Sequence, residues 1–382
     1  MQVELFSSSE IDLDGNLELW LRFLSVPHFG AEKLKALAKA FNGDIKQVFE
    51  QDAAQLTLYG FSDSQIAALK KTQSNQLDKL HSWLNKSNDH FVITYDSALY
   101  PLYLKQISSA PLMLFGVGDK HVLSAHQLAI VGSRGPSEYG KRNATEFAKE
   151  LTESGWVVTS GLAVGIDGFA HKGAISNAEG NSHTVAVLGS GVDSIYPKRH
   201  ARLAKDIVVH GGAVISEFML NTPPIAEHFP RRNRIVSGLA KGTLVIEAAI
   251  KSGSLITAYY ALQQNRDVFA VPGNIKNPLS KGTHQLIKQG AKLVESVADI
   301  LDEYPDLKLG KGFEKQKNLK KSAIECLATG GLLDSVEYDT TPVDLVAERS
   351  GLPVSVVLSE LLEYELRGLV AAVPGGYIKL GD

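Results

Sequence analysis

From Phe91 onward short apolar runs alternate with longer amphipathic stretches, and nothing else in the chain restricts its fold as strongly. The runs are Phe91–Tyr95, Leu112–Phe115, Leu128–Val131, Trp156–Thr159, Thr184–Leu188, Ala213–Ser216, Thr243–Ile246, Val268–Val271 and Lys292–Val294. Helical patterns fall between them, among them Asn143–Glu153, Arg199–Val209, Ser254–Gln264 and Thr283–Gly290. A short apolar run without polar alternation suits a strand covered on both faces. Strands alternating with helices build β-α units, so the expected core is α/β: a doubly wound, mainly parallel sheet with helices on both faces.

The ends of these runs are small or polar: Gly132-Ser133-Arg134, Ser160-Gly161-Leu162-Ala163, Gly189-Ser190-Gly191, Glu217, Glu247 and Pro272-Gly273. In an open parallel sheet ligands bind outside the carboxyl ends of the strands. Their convergence on one edge favours a single large site. The stretch Gln127–Gly140 (QLAIVGSRGPSEYG) reads as a buried strand, a glycine turn and a helix beginning near Pro136. Such a turn aims free backbone N–H groups at one point, and Arg134 adds a positive charge there.

A nucleotide cofactor fails on spacing. Gly132-Ser133-Arg134-Gly135 is not GxGxxG, because Arg134 stands where a glycine lets a pyrophosphate approach. Gly135–Lys141 fits GxxxxGK, but Arg142 replaces the hydroxyl residue that ligates magnesium, and Pro136 lacks a wanted N–H. His171, His183, His210 and His228 are scattered without metal-ligand spacing, and Gly189-Ser190-Gly191 lacks the frame of a nucleophile elbow. No cofactor, no metal and no catalytic residue is expected. Asp167 and Glu247 lie near strand ends, where carboxylates more often cap helices or hold arginines than attack a glycosidic bond.

Phosphate-binding chemistry is where residues concentrate. Phe229-Pro230-Arg231-Arg232-Asn233-Arg234 sets three arginines around an asparagine beside a ring. Guanidinium groups bind phosphates bidentately, and a ring stacks on an unpaired base. Tyr196-Pro197-Lys198-Arg199-His200 is a second ring–cation cluster, and Lys251-Ser252-Gly253-Ser254 opens a further helix. The net charge is −3, so a polyanion site must be a confined groove, which favours single strands over duplex.

The flanks differ from the core. Residues 17–85 read as helical, with helix–turn–helix pairs about Val26–Gly30 and Leu58–Phe61 and Ser62 as an N-cap. The pair resembles tandem helix-hairpin-helix units, although Pro27-His28-Phe29-Gly30 lacks their glycine-apolar-glycine turn, which favours an accessory or protein-contact module. Residues 306–321 hold Lys308, Lys311, Lys315, Lys317, Lys320 and Lys321 and read as a basic linker. Helices expected at Ser322–Ala328, Val343–Ser350 and Val354–Leu366, followed by a glycine-turned hairpin at 369–380, spell a winged helix. Its third helix carries Glu360, Glu363 and Glu365, so protein contact is expected of it rather than duplex reading. Cys326 is the only cysteine, which excludes an intramolecular disulfide and fits a reducing cytoplasm. The acids Glu4, Glu10 and Asp12 do not suit a signal peptide, and no run of about 18 apolar residues invites membrane insertion.

In order, IVGSR, SGLAVGID, LGSGVDSIYP, FPRRNRIVSGL, KSGSLITA, VPGN and GTHQLIKQGA resemble the DprA/Smf family of DNA-processing proteins across about residues 90–300. The resemblance implies an extended Rossmann-like domain at 89–305 that binds single-stranded DNA. It also implies an N-terminal helical, SAM-like domain at 1–88, a linker at 306–320 and a winged helix at 321–382. It implies protection of incoming DNA in natural transformation, loading of the RecA recombinase, a homodimer and no catalytic turnover. The expected DNA-binding set is Gly132, Ser133, Arg134, Gly161, Gly189, Gly191, Lys198, Phe229, Arg231, Arg232, Asn233, Arg234, Lys251 and Ser254; the dimer patch falls at Ile287 and Leu293. His284 departs from an asparagine common in the family, and Ala226 from a lysine carried by some members. The alternative is a nucleotide-processing hydrolase of phosphoribohydrolase type, whose PGGxGTxxE signature is missing at 248–254.

Overall fold

The structure is a computed structural model and describes residues 13–176, 183–307 and 332–380. The lysine-rich tract from Lys308, the helix expected at Ser322–Ala328, Cys326 and the N-terminal acids lie outside these residues. Two compact units result, a larger one that contains the sheet and a smaller C-terminal one.

The larger unit opens with helices α1 (Leu13–Ser25), α2 (Ala31–Ala40), α3 (Ala53–Leu58), α4 (Asp63–Lys70) and α5 (Ser74–Leu84). α3 and α4 each start in a capping box: Asp52 and Ser62 accept from the Gln55 and Gln65 amides, and those glutamine side chains answer the cap amides. The two turn phenylalanines meet in the core, with Phe29 and Phe61 centroids 5.9 Å apart and Phe23 stacked on Phe29 at 5.0 Å.

Each apolar run from Phe91 becomes a strand: β1 (His90–Thr94), β2 (Met113–Gly118), β3 (Gln127–Val131), β4 (Val157–Ser160), β5 (Thr184–Val187), β6 (Ala213–Ser216), β7 (Gly242–Val245), β8 (Asp267–Ala270) and β9 (Lys292–Leu293). They form one sheet in the order β1-β2-β6-β5-β4-β3-β7-β8-β9. Pairing is parallel from β6 to β9, and β1 and β2 join antiparallel at one side. Every residue of β3, β4, β5, β6 and β7 is buried, as strands covered on both faces must be. The connecting helices are α6 (Leu102–Gln106), α7 (Glu138–Glu153), α8 (Ile166–Ala174), α9 (Ala201–Val209), α10 (His228–Leu239), α11 (Gly253–Gln263), α12 (Lys281–Lys288) and α13 (Val297–Leu301). Strands β3 to β6 proceed one way across the sheet, whereas β7 to β9 lie on the other side of β3. This reversal opens a crevice between the carboxyl ends of β3 and β7, the place where doubly wound sheets hold ligands. No helix among the described residues is long and apolar enough to cross a membrane.

One buried histidine makes this core sensitive to acid. The Thr184 hydroxyl donates to the Val158 carbonyl at 2.6 Å, so it accepts from His171 Nδ1 at 2.8 Å, and His171 Nε2 is left without a partner. Burial pushes this imidazole down to about 3, with the His200 and Arg232 charges adding to the effect. Its unfolded pKa, about 6.5, is higher, so the unfolded chain binds the extra proton first. Stability from this group is complete above about pH 6.5 and falls on acidification, at a slope approaching about 1.4 kcal/mol per pH unit. Thermal melts between pH 7 and pH 5 should therefore show a flatter dependence for His171→Asn than for wild type, even though the variant melts lower; parallel curves would refute the assignment.

The smaller unit contains helices α14 (Val343–Ser350) and α15 (Val354–Leu366), then a hairpin of β10 (Val370–Val373) and β11 (Gly376–Lys379). Val346, Val357, Leu361, Tyr364 and Val370 form its core. Helices followed by a β-ribbon give the expected winged helix.

Candidate nucleic-acid interface

The loop after β3 sits at the crevice and is fixed from both sides. The Ser133 amide donates to the Glu247 carbonyl beyond β7 at 2.7 Å, and the Ile166 amide at the start of α8 donates to the Ser133 carbonyl at 3.1 Å. Gly165 makes this contact possible: its φ is +84°, and a Cβ there would lie 2.2 Å from the Ser133 carbonyl oxygen. Arg134 leaves the pinned loop as an exposed side chain.

Arg134 faces a ring. Its guanidinium carbon is 5.9 Å from the centroid of Phe229, on the first turn of α10. Phe229 in turn lies 5.6 Å, centroid to centroid, from Tyr196, which follows β5 and is 48% exposed. Phe229 occupies the space over Gly189, where a Cβ would sit 3.0 Å from Cδ1 of the ring. A cation, a half-buried ring and an exposed ring thus run from the end of β3 to the end of β5, a span of about 10 Å at strand spacing. Exposed Lys198 follows Tyr196, and exposed Arg231 stands two residues after Phe229, with its guanidinium 5.5 Å from the Phe218 ring. Cations beside accessible ring faces suit a strand of phosphates with unpaired bases.

Three family models match the chain in sequence order. A family model described as DNA recombination-mediator protein A matches residues 91–305, one described as SMF/DprA SAM domain matches 15–81, and one described as DprA winged helix domain matches 328–376. Protein Smf of Escherichia coli is 44% identical over 368 residues, covering 95% of this chain and 96% of that protein. The chain belongs to the DprA/Smf family. DNA processing protein DprA of Bacillus subtilis is 44% identical over 215 residues, 56% of this chain and 71% of that one. The X-ray structure of DprA from Streptococcus pneumoniae superposes with a TM-score of 0.65 at 34% identity, covering 74% of this chain and 96% of that chain. DprA from Helicobacter pylori, solved for its single-stranded DNA binding mode, gives 0.50 at 27% identity, covering 55% and 94%.

Within this DprA/Smf fold the residues singled out from the sequence separate into two layers. Arg134, Lys198, Arg231 and Lys251 are exposed, and Gly132, Ser133, Phe229 and Asn233 are half-buried. Gly161, Gly189, Gly191, Arg232, Arg234 and Ser254 are buried and form the floor beneath them. The arginine run divides because successive helical residues turn by about 100°, so neighbours cannot share one face. Arg232 donates through Nη1 to the carbonyls of Gly161 and Val187, tying together the ends of β4 and β5. Burial lowers its pKa to about 10, against the opposing pull of Asp167, so it stays a cation at neutral pH. Arg234 donates to Glu217 Oε2 at 2.5 Å, and the same oxygen holds Arg231 at 3.1 Å.

Two glycine amides are also committed. The Gly161 amide donates to Asp167 at 3.1 Å, the Ala163 amide to the same oxygen at 3.4 Å, and the Gly191 amide to the Thr222 carbonyl at 2.9 Å. Burial raises the Asp167 pKa, opposed first by the Arg232 charge. Asp167 is therefore a loop cap over a buried arginine. The Ser254 hydroxyl lies 2.6 Å from Ser252 Oγ, and Asn233 Nδ2 reaches the Gly253 carbonyl at 3.5 Å. The sequence shows Glu217 only as a polar strand end; its role as a shared arginine anchor comes from Arg231 and Arg234 of α10 reaching it. No group of His, Cys, Asp and Glu side chains among the described residues could hold a metal ion.

Proposed function

We propose that this chain binds single-stranded DNA along the carboxyl edge of its sheet. In this reading it protects incoming strands in natural transformation and delivers them to the RecA recombinase, acting in the cytoplasm without catalytic turnover. The Arg134–Phe229–Tyr196 row, with Lys198 and Arg231 exposed nearby in the chain, carries the reading. Rings held at this edge reach unpaired bases but not bases stacked inside a duplex. The single-strand binding mode described for the Helicobacter pylori relative supports the same ligand. Family membership is the support for the RecA and transformation roles. The proposed division is a helical domain at 1–88, the DNA-binding domain at 89–305, a linker at 306–320 and the winged helix at 321–382.

Anisotropy titration with fluorescent oligothymidylate and with a duplex of equal length tests the ligand. Single strands should bind at least tenfold more tightly at matched salt; equal affinities would defeat the proposal.

We also propose a homodimer. Ile256, Tyr259 and Leu262 are exposed along α11, and Leu293 is 44% exposed at β9, whereas Ile287 is half-buried against the core. Apolar side chains at this spacing form a face suited to a second copy. Sedimentation should show Leu293→Glu shifted from dimer toward monomer by at least tenfold in dissociation constant. An unchanged dimer would remove Leu293 from the interface.

A further inference from the structure

Helix α15 of the smaller unit carries apolar residues on two faces. Val357, Leu361 and Tyr364 enter the core. Val354, Leu358, Leu362 and Leu366 stay exposed, by 43%, 44%, 55% and 82%. Four residues apart, they make a single ridge along the helix, about 18 Å long at about 1.5 Å per residue. At about 100° per residue, Glu363 and Glu365 fall on either side of the Leu362–Leu366 end of this ridge. Arg367, the one cation of this segment, is paired with Glu363 at 3.4 Å.

Charge decides what can cover the ridge. From Val354 to Arg367 the helix and its end hold Glu360, Glu363 and Glu365 against the single base Arg367, a net charge of −2. Nucleic acid and anionic lipid surfaces are repelled by that balance. A second copy of the same helix brings the same acids, so pairing two ridges sets like charges against each other. A helix with its own apolar row and basic flanks satisfies both the ridge and the acids, in the helix-on-helix mode of peptide recognition.

We propose that the Val354–Leu358–Leu362–Leu366 ridge docks a basic amphipathic helix of a partner protein, whose lysines or arginines meet Glu363 and Glu365. This site is separate from the DNA groove and does not depend on it.

The test uses the full chain and a fluorescent helical peptide of leucine and lysine, with a scrambled peptide and a leucine–glutamate peptide as controls. The leucine–lysine peptide should bind saturably and the controls should not. Leu362→Glu should weaken binding at least tenfold while leaving oligothymidylate affinity unchanged. Glu363→Lys combined with Glu365→Lys should reject the lysine peptide and accept the glutamate peptide. Equal binding by wild type and Leu362→Glu overturns the proposal, as does equal binding of the scrambled peptide. Wild-type self-association abolished by Leu362→Glu also overturns it, because the ridge would then belong to a second copy.

Discussion

Arg232→Ala should lower the melting temperature by on the order of 10 °C, whereas Arg231→Ala, one residue away, should melt with wild type. Arg232 is 4% exposed and supplies the donors for the Gly161 and Val187 carbonyls. Its removal leaves two buried acceptors unpaired and Asp167 without the cation that offsets its burial. Breaking a buried charged network by deleting one partner costs about 3–5 kcal/mol. That is a large share of the roughly 5–15 kcal/mol that stabilises a folded domain. Arg231 has a side chain 59% exposed, and when it is removed buried Glu217 keeps Arg234 at 2.5 Å as its cation. Calorimetry separates the two directly. If Arg232→Ala melts with wild type and loses only DNA affinity, the arginine is a phosphate ligand and its assignment to the floor is wrong.

Phe229→Ala and Arg134→Ala should weaken oligothymidylate binding by different routes. Stacking of one base on an aromatic ring contributes about 1–3 kcal/mol, so Phe229→Ala should cost from about fivefold to more than a hundredfold in affinity, with little change in salt dependence. Arg134→Ala should cost about tenfold and flatten the plot of log affinity against log salt by about 0.7, the loss of one phosphate contact on a single strand. Both variants should melt close to wild type, since Arg134 is exposed and Phe229 half-buried. Titrations at several salt concentrations would distinguish the outcomes. An unchanged salt slope for Arg134→Ala would show that this guanidinium contacts no phosphate.

The strands were legible because a sheet covered on both faces demands uninterrupted apolar runs, and the runs from Phe91 to Val294 supply them. The loop Gly132-Ser133-Arg134 was legible because a strand leading into a helix leaves amide groups at its turn. The winged helix was legible at α14 and α15 from helical periodicity, and at β10 and β11 from the glycines between them.

The arginine run is where the sequence does not separate surface from floor. Arg231, Arg232, Asn233 and Arg234 carry similar chemistry in a row, and composition alone places them all in a groove. Their separation depends on the angle at which α10 crosses the strand ends, which points Arg232 at the carbonyls of β4 and β5 and Arg234 at Glu217. The commitment of the Gly161 amide to Asp167 is a second case, since a free N–H and a capped one have the same sequence.

By itself the sequence determined the α/β alternation, the flanking helical and winged-helix regions, and the concentration of rings and cations at strand ends. These follow from periodicity and residue type, which are local. Only the tertiary structure decided which cations face solvent, which support the floor, and that Arg134, Phe229 and Tyr196 form one row. Those choices depend on strand order and on the crossing of α10, and both arise from packing between segments far apart in the chain.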